Sequence, residues 1–335
     1  MTPTIKDVAK KANVSIATVS RILNNQQGYS LKTKERVIEA IKDLGYQPNA
    51  IARGLINKRT QTLGILFPDV SSMFSSDILK GIEEIAHTKG HSVVVCHTDS
   101  SKKRMTKYLQ VLNEKRVDGI IFTSEVITED YYKIIEEMDV PVVLLATQSY
   151  RFPLPYVKVD DKHAAYSAVS YLIEKGHRNI GMISGPIEDE IAGRPRVEGY
   201  KQALEEHGIT FDEKKLVITS GFYYETGTGM LSRLLKQDES ITAVFAASDE
   251  LAVSAMSNAF EMGIHVPNEL SIIGYDNLKI SQMAIPPLTT LAQPLYEMGK
   301  LGAELLLDML ETGKAVESRI VPHHIVERKT VKAYE

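Results

Sequence analysis

Short apolar runs alternate with amphipathic segments from residue 62 onward, and this alternation most strongly constrains the fold. The runs occupy residues 62–68, 91–96, 118–122 and 142–146. Helix-like segments near 76–89 and 102–115 lie between them. Strands that are apolar on both faces and joined by helices form parallel sheets with helices on both sides. The pattern therefore predicts a doubly wound α/β fold.

The same alternation begins again after Val159, with further apolar runs at 179–184, 243–246 and 271–276. The repetition predicts an α/β core of two similar doubly wound, parallel-sheet lobes. Ligands of such lobes bind at the carboxyl ends of the strands, where the loops converge.

The net charge of the first 60 residues differs in sign from that of the rest of the chain. Residues 1–60 hold 11 Lys and Arg against 4 Asp and Glu, a net of +7, whereas the remainder holds 28 against 39, a net of −11. A basic head on an acidic body is expected when only the head contacts a polyanion. Chance clustering on a solvated surface is the alternative.

The basic head has the periodicity of three helices. Asn13 tolerates the left-handed backbone of a tight turn, Ser15 can cap a second helix over 16–23, and Gly45 can end a third. The expected apolar faces are Ile5, Val8, Ala9 and Ala12, then Val19, Ile22 and Leu23, then Val37, Ile38, Ile41 and Leu44. This arrangement is an N-terminal, all-α helix-turn-helix, whose second helix enters the DNA major groove. Three-helix bundles also bind proteins, but the basic charge favours DNA.

Candidate DNA contacts lie at the start of the second helix. Arg21 can bridge O6 and N7 of guanine, whereas Ile16 and Ala17 can make only apolar contacts, best with thymine methyl groups. The residues better suited to phosphates are Lys6, Lys10, Lys32, Lys34 and Arg36.

Residues 4–24, TIKDVAKKANVSIATVSRILN, resemble the head of the lactose–galactose repressor (LacI/GalR) family, and residues 45–55, GYQPNAIARGL, resemble its hinge. The likeness continues over essentially the whole chain, although Asn13 stands where many members have Gly. It implies a DNA-binding domain at 1–47, a hinge helix at 48–60 and an effector-binding, dimerisation core at 61–335. The implied lobes are about 61–159 with 292–321, and about 160–291 with 322–335.

The resemblance implies a homodimer on a pseudo-palindromic operator, with paired hinge helices in the minor groove. Leu55 matches the family's leucine that wedges into a base step and kinks the duplex. The alternative is that this segment is a plain linker with a buried leucine. A hinge helix of only two turns is marginally stable in water unless something packs on it. The implied DNA contacts are Thr4, Ser15, Ile16, Ala17, Thr18, Ser20, Arg21, Asn24, Asn49, Ala52 and Leu55.

Residues that follow predicted strands form a candidate effector site. The resemblance implies the fold of periplasmic sugar-binding proteins, with a small effector in the cleft. Carboxylates accept hydrogen bonds from sugar hydroxyls, an arginine donates to them, and aromatic faces stack on sugar rings. The candidates are Ser71, Ser72, Phe74, Arg196, Phe222, Asp249 and Asp276, the last four by resemblance as well. In the alternative interpretation, Asp276 caps a turn and Arg196 pairs with Glu188 or Glu190.

Other functional classes are disfavoured. The single cysteine, Cys96, excludes a disulfide framework and thiolate metal sites, and no run suits a signal peptide or a membrane span. The motifs G-x-S-x-G, H-E-x-x-H, C-x-x-C and the P-loop are absent, and His323-His324 in a strand is a poor metal pair. We therefore expect a cytoplasmic protein that is not an enzyme and needs no cofactor, metal or membrane.

Residues 46–55 and 140–144 resemble the catabolite control proteins of Gram-positive bacteria, which respond to a phosphorylated carrier protein. Glu304, however, stands where those relatives carry a basic residue, and a carboxylate there repels phosphate. Arg196 stands where they carry Lys. The sequence thus predicts a dimeric repressor of a carbohydrate operon, controlled by a sugar or phosphosugar. A phosphocarrier-dependent regulator and a cytosolic sugar-binding protein without regulatory role are the alternatives.

Overall fold

A computed structural model of the chain describes residues 3–23, 27–46 and 59–334. The chain divides into two compact units, Met1–Gln61 and Thr62–Glu335. Among the described residues, no helix is both long enough and apolar enough to cross a membrane.

The described residues of the first unit form three helices, α1 (Ile5–Lys11), α2 (Ile16–Leu23) and α3 (Leu31–Leu44). Asn13 adopts φ 51° between α1 and α2, and the Ser15 hydroxyl accepts a hydrogen bond from the Thr18 backbone N–H at 3.1 Å. Gly45 ends α3 with φ 60°. These three positions confirm the expected turn, cap and helix end.

The core of the first unit consists of Val8, Ala9, Ala12, Val19, Ile22, Val37 and Ala40, with partly buried neighbours that include Ile41 and Leu44. The prediction that Ile38 points inward was wrong, because 49% of this residue is exposed. The small side chain of Ala40 is buried there instead, so the inward face of α3 is rotated from the expected one.

The second unit is built on two six-stranded sheets. The strands of the first sheet are β1 (Thr62–Phe67), β2 (Ser92–His97), β3 (Gly119–Thr123), β4 (Val142–Leu145), β5 (Tyr156–Lys158) and β11 (Arg319–Ile320). Its helices are α4 (Met73–Thr88), α5 (Lys102–Glu114), α6 (Glu129–Met138) and α13 (Leu295–Thr312). Together these elements are lobe 1. The strands are all parallel, in the order β2-β1-β3-β4-β5-β11.

The second sheet contains β6 (Ile180–Ser184), β7 (Leu216–Ile218), β8 (Ala243–Ala246), β9 (Ser271–Asp276), β10 (Thr289–Ala292) and β12 (His324–Val326). Its helices are α7 (Asp161–Glu174), α8 (Gly193–Glu206), α9 (Tyr224–Gly227), α10 (Met230–Gln237), α11 (Asp249–Glu261) and α12 (Lys279–Met283). Together these elements are lobe 2. The strand order, β7-β6-β8-β9-β10-β12, repeats that of lobe 1. Only β12 is antiparallel to its neighbour among the described strand pairs, a reversal that the repeated pattern did not predict.

Alternate residues of each central strand pack into different cores. In β3, Ile121 belongs to one cluster and Ile120 and Phe122 to another. In β8, Phe245 and Val244 are divided in the same way. Because both faces of each sheet are covered, the strands read as continuous apolar runs, as the sequence indicated.

Glycine allows one pair of helices in each lobe to approach backbone to backbone. A Cβ on Gly81 of α4 would lie 2.1 Å from the Tyr296 carbonyl oxygen of α13, and one on Gly199 of α8 would lie 2.1 Å from the Lys162 carbonyl oxygen of α7. The chain passes between the lobes after β5, after β10 and after β11; α7 begins directly after the first crossing and α13 directly after the second.

Candidate functional site

A cavity of about 310 Å³ lies between the loops that follow the strands of the two sheets. Its volume is at the lower end of the range for small-molecule sites. Lobe 1 contributes residues that follow β1 to β4, among them Asp69, Ser72, Ser100, Ser124 and Ala146. Lobe 2 contributes residues at or after the ends of β6 to β9, among them Asp189, Phe222, Tyr223, Glu250 and Asp276. The cavity therefore lies at the carboxyl ends of the strands, where the doubly wound pattern places a ligand.

Arg196 lines the cavity on the lobe 2 side and is held there by several hydrogen bonds. Only 6% of it is exposed, and its guanidinium donates to Asp161 Oδ1 from Nε at 3.0 Å and from a terminal nitrogen at 2.8 Å. The other terminal nitrogen donates to the Ala247 carbonyl oxygen at 2.6 Å. The guanidinium carbon lies 3.8 Å from the ring centroid of Tyr275. These contacts fix the guanidinium in one orientation before any ligand arrives.

The alternative pairing of Arg196 with Glu188 or Glu190 was wrong. Glu190 is the partner of Arg194, at 3.6 Å, whereas Arg196 pairs with Asp161. Burial opposes the charged form of Arg196, but the neighbouring acidic groups Tyr275, Asp161 and Asp276 outweigh it and raise its pKa.

Asp276 ends β9 and points into the cavity. Gln293, which follows β10 at the second crossing, donates from Nε2 to Asp276 Oδ1 at 2.7 Å. Burial raises the pKa of Asp276 to about 7, although Arg196 and the Gln293 hydrogen bond lower it in part. Near neutral pH the carboxyl group is therefore present in both forms, and it can accept a hydrogen bond from a ligand hydroxyl or, when protonated, donate one.

The described lining of the cavity is acidic. Arg196 is its only cationic side chain, against five carboxyl groups on Asp69, Asp161, Asp189, Glu250 and Asp276. Burial also raises the pKa of Glu250. The aromatic residues Phe74, Phe222 and Tyr223 also line the cavity. Carboxylates with one arginine and several aromatic faces suit a polyhydroxylated, uncharged ligand.

The structure brings most of the predicted effector residues together. Ser72, Phe74, Arg196, Phe222 and Asp276 line the cavity. Ser71 does not, because its hydroxyl donates to Asp69 Oδ1 at 2.6 Å on the exposed side of the loop.

Asp249, another predicted effector contact, also lies outside the lining of the cavity. It is fully buried, accepts a hydrogen bond from the Thr290 hydroxyl, and accepts another from the Leu278 backbone N–H at 2.6 Å. Burial holds its pKa well above the ordinary value. In the structure, Asp249 fixes the loop after β9, which carries the neighbouring wall of the cavity.

Sequence reasoning missed Asp161, Asp189, Tyr223, Glu250 and Gln293 as lining residues. Asp161 and Gln293 lie at two of the crossings between the lobes. The implied lobe boundaries near residues 160 and 292 were the signal that could have identified them, because the segments that join the lobes border the cleft.

The candidate DNA-binding face is the start of α2. Ser15, Ile16, Ala17 and Arg21 are exposed, while Thr18 and Ser20 are half-buried. Ile16 is 45% exposed although it is a large apolar residue, so its side chain is free for an apolar contact. Thr4 is also exposed, and its backbone N–H and hydroxyl donate to Asp7 at 2.8 and 2.7 Å. Four other candidates lie outside the described residues: Asn24, Asn49, Ala52 and Leu55.

Comparison with known proteins identifies the family. Residues 4–49 match the model of bacterial regulatory proteins of the lacI family, and residues 169–331 match that of the periplasmic binding protein-like domain. Catabolite control protein A of Priestia megaterium is 38% identical over 334 residues, which is 99% of this chain and 100% of that protein. The chain belongs to the lacI family. As a member, it is a DNA-binding transcription regulator.

Solved structures agree with this assignment. A lac repressor dimer bound to operator and the anti-inducer ONPF superposes with a TM-score of 0.89 and 27% identity, over 99% of this chain and 100% of that one. The transcriptional regulator CelR in complex with cellobiose gives a TM-score of 0.75 and 30% identity, over 98% of this chain and 99% of that one. The predicted fold class, a helix-turn-helix followed by two parallel-sheet lobes, is thus confirmed.

Proposed function

We propose that this lacI-family regulator is a cytoplasmic homodimer that represses genes of carbohydrate use, with a neutral sugar in the cavity controlling its operator affinity. The observation that carries the proposal is the buried constellation of Arg196, Asp161 and Asp276 at the carboxyl edge of lobe 2. These side chains supply fixed hydrogen-bond donors and acceptors for adjacent hydroxyl groups of a sugar, and aromatic residues line the same cavity.

A neutral sugar fits better than a phosphosugar. The lining holds five carboxyl groups, and the guanidinium of Arg196 is already paired with Asp161. A phosphate would approach several carboxylates without an uncommitted cation in the described lining. A neutral polyol avoids that repulsion and still finds hydrogen-bond partners.

Dimerisation is supported by exposed apolar side chains on lobe 2. Phe260 is 86% exposed, Met283 64% and Ile285 94%. Phe260 lies in the last turn of α11. Met283 ends α12, which packs beside α11, and Ile285 follows it by two residues. Exposed large apolar residues of this kind commonly mark an interface between protein chains. We assign this surface to the homodimer.

The phosphocarrier-dependent alternative is supported by the 38% identity to catabolite control protein A. The charge of α13 argues against it. Glu304, Asp308 and Glu311 are all exposed on this helix, and Lys300 is paired with Glu84 at 3.4 Å. A phosphorylated partner would approach carboxylates here rather than cations.

A thermal-shift panel tests the choice of effector class. Neutral sugars are compared with their 6-phosphates, on wild type and on Asp276→Ala. We expect at least one neutral sugar to raise the Tm of wild type, because a ligand that binds only the folded state stabilises it. The same sugar should leave Asp276→Ala unshifted. A larger shift with a phosphosugar, or an unchanged shift in the variant, contradicts the proposal.

A further inference from the structure

Gly185 lies directly behind the aromatic ring of Phe222, a residue that lines the cavity. Gly185 follows β6 and is not itself part of the described lining. A Cβ on Gly185 would lie no more than 2.7 Å from three carbon atoms at the tip of that ring. Its φ is not positive, so the backbone does not require glycine at this position, whereas the space behind the ring does.

The backbone that carries Phe222 is fixed by hydrogen bonds. The Phe222 carbonyl oxygen accepts from the Ser248 hydroxyl at 2.6 Å, and the Gly221 carbonyl oxygen accepts from the Thr226 hydroxyl at 3.1 Å. Phe222 also packs against the two buried apolar clusters of lobe 2. The open space next to the ring is therefore the cavity, and a group that pushes on the ring from Gly185 moves it into the cavity.

A single methyl group on Gly185 is large enough to change the cavity. Non-bonded carbon atoms pack at about 3.5–4.0 Å, so this group displaces the tip of the Phe222 ring by roughly 1 Å. The end of a side chain can move by this distance, so the displacement reduces the cavity volume more than it reduces stability. The cavity holds only about 310 Å³, and the ring centroid lies 5.4 Å from the guanidinium carbon of Arg196. The displaced ring thus takes space close to this donor.

We propose that Gly185 sets the upper size of the sugar that the cavity admits, because it lets the Phe222 ring lie back from the ligand. The inference rests on the proposed function and names the ligand as a neutral hexose, since glycine leaves this wall at its widest. Gly185 acts through Phe222 and is a positioning residue that determines specificity. In a closely fitted pocket, one carbon group more or less changes binding by about 10–200-fold. A shift of the ring therefore separates sugars that differ by one CH₂OH group.

Gly181 provides a matched control, because it lies in β6, four residues before Gly185, and is crowded by side chains in the same way. A Cβ on Gly181 would lie 2.7 Å from a methyl carbon of Leu234 and 3.1 Å from one of Ile241. Both side chains are buried, and neither residue lines the cavity. A methyl group at Gly181 thus strains the core of lobe 2 without narrowing the sugar site.

Isothermal titration of the full-length protein with two matched pairs of sugars tests the inference. The probes are glucose against xylose and galactose against L-arabinose, because each pentose is the hexose without its CH₂OH group. We expect wild type to bind at least one of the hexoses. Gly185→Ala should raise the Kd of that hexose at least tenfold more than the Kd of its pentose. Gly181→Ala should lower the Tm but keep the ratio of the two Kd values within twofold of wild type.

Removing the ring tip should rescue the variant. Phe222→Leu, introduced into Gly185→Ala, should return the ratio of hexose Kd to pentose Kd to within threefold of that of Phe222→Leu alone. A crystal structure of Gly185→Ala gives a second measurement that needs no ligand, and we expect its Phe222 ring to be displaced into the cavity by roughly 1 Å.

The inference and the proposed function fail on different results. An unchanged ratio in Gly185→Ala, a ring that stays in place, or a Gly185→Ala protein that no longer folds overturns the inference and leaves the proposed function standing. Wild type that binds none of the four sugars also overturns the inference. The proposed function fails only if no neutral sugar of the thermal-shift panel binds.

Discussion

Arg196 directs two donors at a single oxygen of Asp161, at 3.0 and 2.8 Å, and leaves the other oxygen to Lys158 at 3.1 Å. Asp161 begins α7, immediately after the first crossing, whereas Lys158 ends β5 of lobe 1. Gln293 and Asp276 repeat this relationship at the second crossing. The side chains that line the cavity are thus bonded directly to the segments that join the lobes. Ligand contacts can therefore bias the angle between the lobes.

Breaking the buried pair of Lys158 and Asp161 should destabilise the protein far more than breaking an exposed pair does. Lys158→Met leaves a buried carboxylate with one cation fewer, so we expect a loss of about 3 kcal/mol in the free energy of unfolding of the core. Lys80→Met is the matched control, because Lys80 pairs with Asp77 at 2.8 Å on the surface. It should cost less than about 1 kcal/mol. Urea denaturation followed by circular dichroism measures both, and equal losses would contradict the assignment.

The raised pKa of Asp276 predicts a pH dependence of stability. The unfolded chain loses this proton near its ordinary pKa of 3.8, whereas the folded chain keeps it up to about 7. Between these values the folded state binds more protons, so Asp276 lowers stability as pH rises, by at most about 1.4 kcal/mol per pH unit.

Asp276→Asn removes this titration. Its stability relative to wild type should therefore increase from pH 4.5 to 7 and level off above that. Denaturation midpoints of both proteins across this range test the point. A difference that stays constant with pH would show that Asp276 ionises normally in the folded protein.

In the first unit, Arg21 should determine base preference. Arg21→Ala should weaken binding to a preferred duplex by about 1–3 kcal/mol and relax the preference at one base position, because a bidentate guanine contact is lost. Lys32→Ala should weaken binding to preferred and random duplexes equally, because a phosphate contact is lost. It should also reduce the slope of log K against log salt concentration by about one. Fluorescence anisotropy at several salt concentrations distinguishes them. If Arg21→Ala weakened binding to both duplexes equally, Arg21 would be a phosphate contact rather than a base contact.

The close approach of α4 and α13 predicts a large effect from a small substitution. Gly81→Ala places a methyl group against the Tyr296 carbonyl oxygen, and backbone cannot yield as a flexible side chain does. We expect the free energy of unfolding to fall by about 1–3 kcal/mol, as in other cores into which an extra methyl group is forced. Glu83→Ala, at an exposed position of the same helix, is the control and should change the Tm little. A neutral Gly81→Ala would mean that the helices can separate without cost.

The sequence predicted the fold better than the site. Buried strands such as β3 and β8 are visible as apolar runs, and the cap at Ser15 and the turn at Asn13 follow from local backbone preferences. Ile38 was misplaced because apolar periodicity alone does not distinguish it from Ala40 as the inward residue of α3. The reversal of β12 depends on where the chain returns after the third crossing, which no local pattern records.

Within the site, loop position at the end of a strand correctly indicated Asp276 and Phe222 as lining residues but not the direction of every side chain. Asp249 follows β8 as expected, yet its carboxylate turns inward to Thr290 and Leu278. Asp161 was missed because its partners, Lys158 and Arg196, meet only after the lobes pack. The assigned roles in effector and DNA binding stay predictions.

The central claim is that a ligand in the cavity changes the affinity of the helix-turn-helix unit for DNA. The most direct measurement selects preferred duplexes from a random pool, then titrates one by anisotropy with and without the sugar that stabilises the protein. We predict a pseudo-palindromic preferred site, an operator Kd that the sugar changes at least fivefold, and a reciprocal change of equal size in sugar affinity when operator is bound. No preference among duplexes at any salt concentration, or an operator Kd that is the same with the cavity filled and empty, would contradict the account.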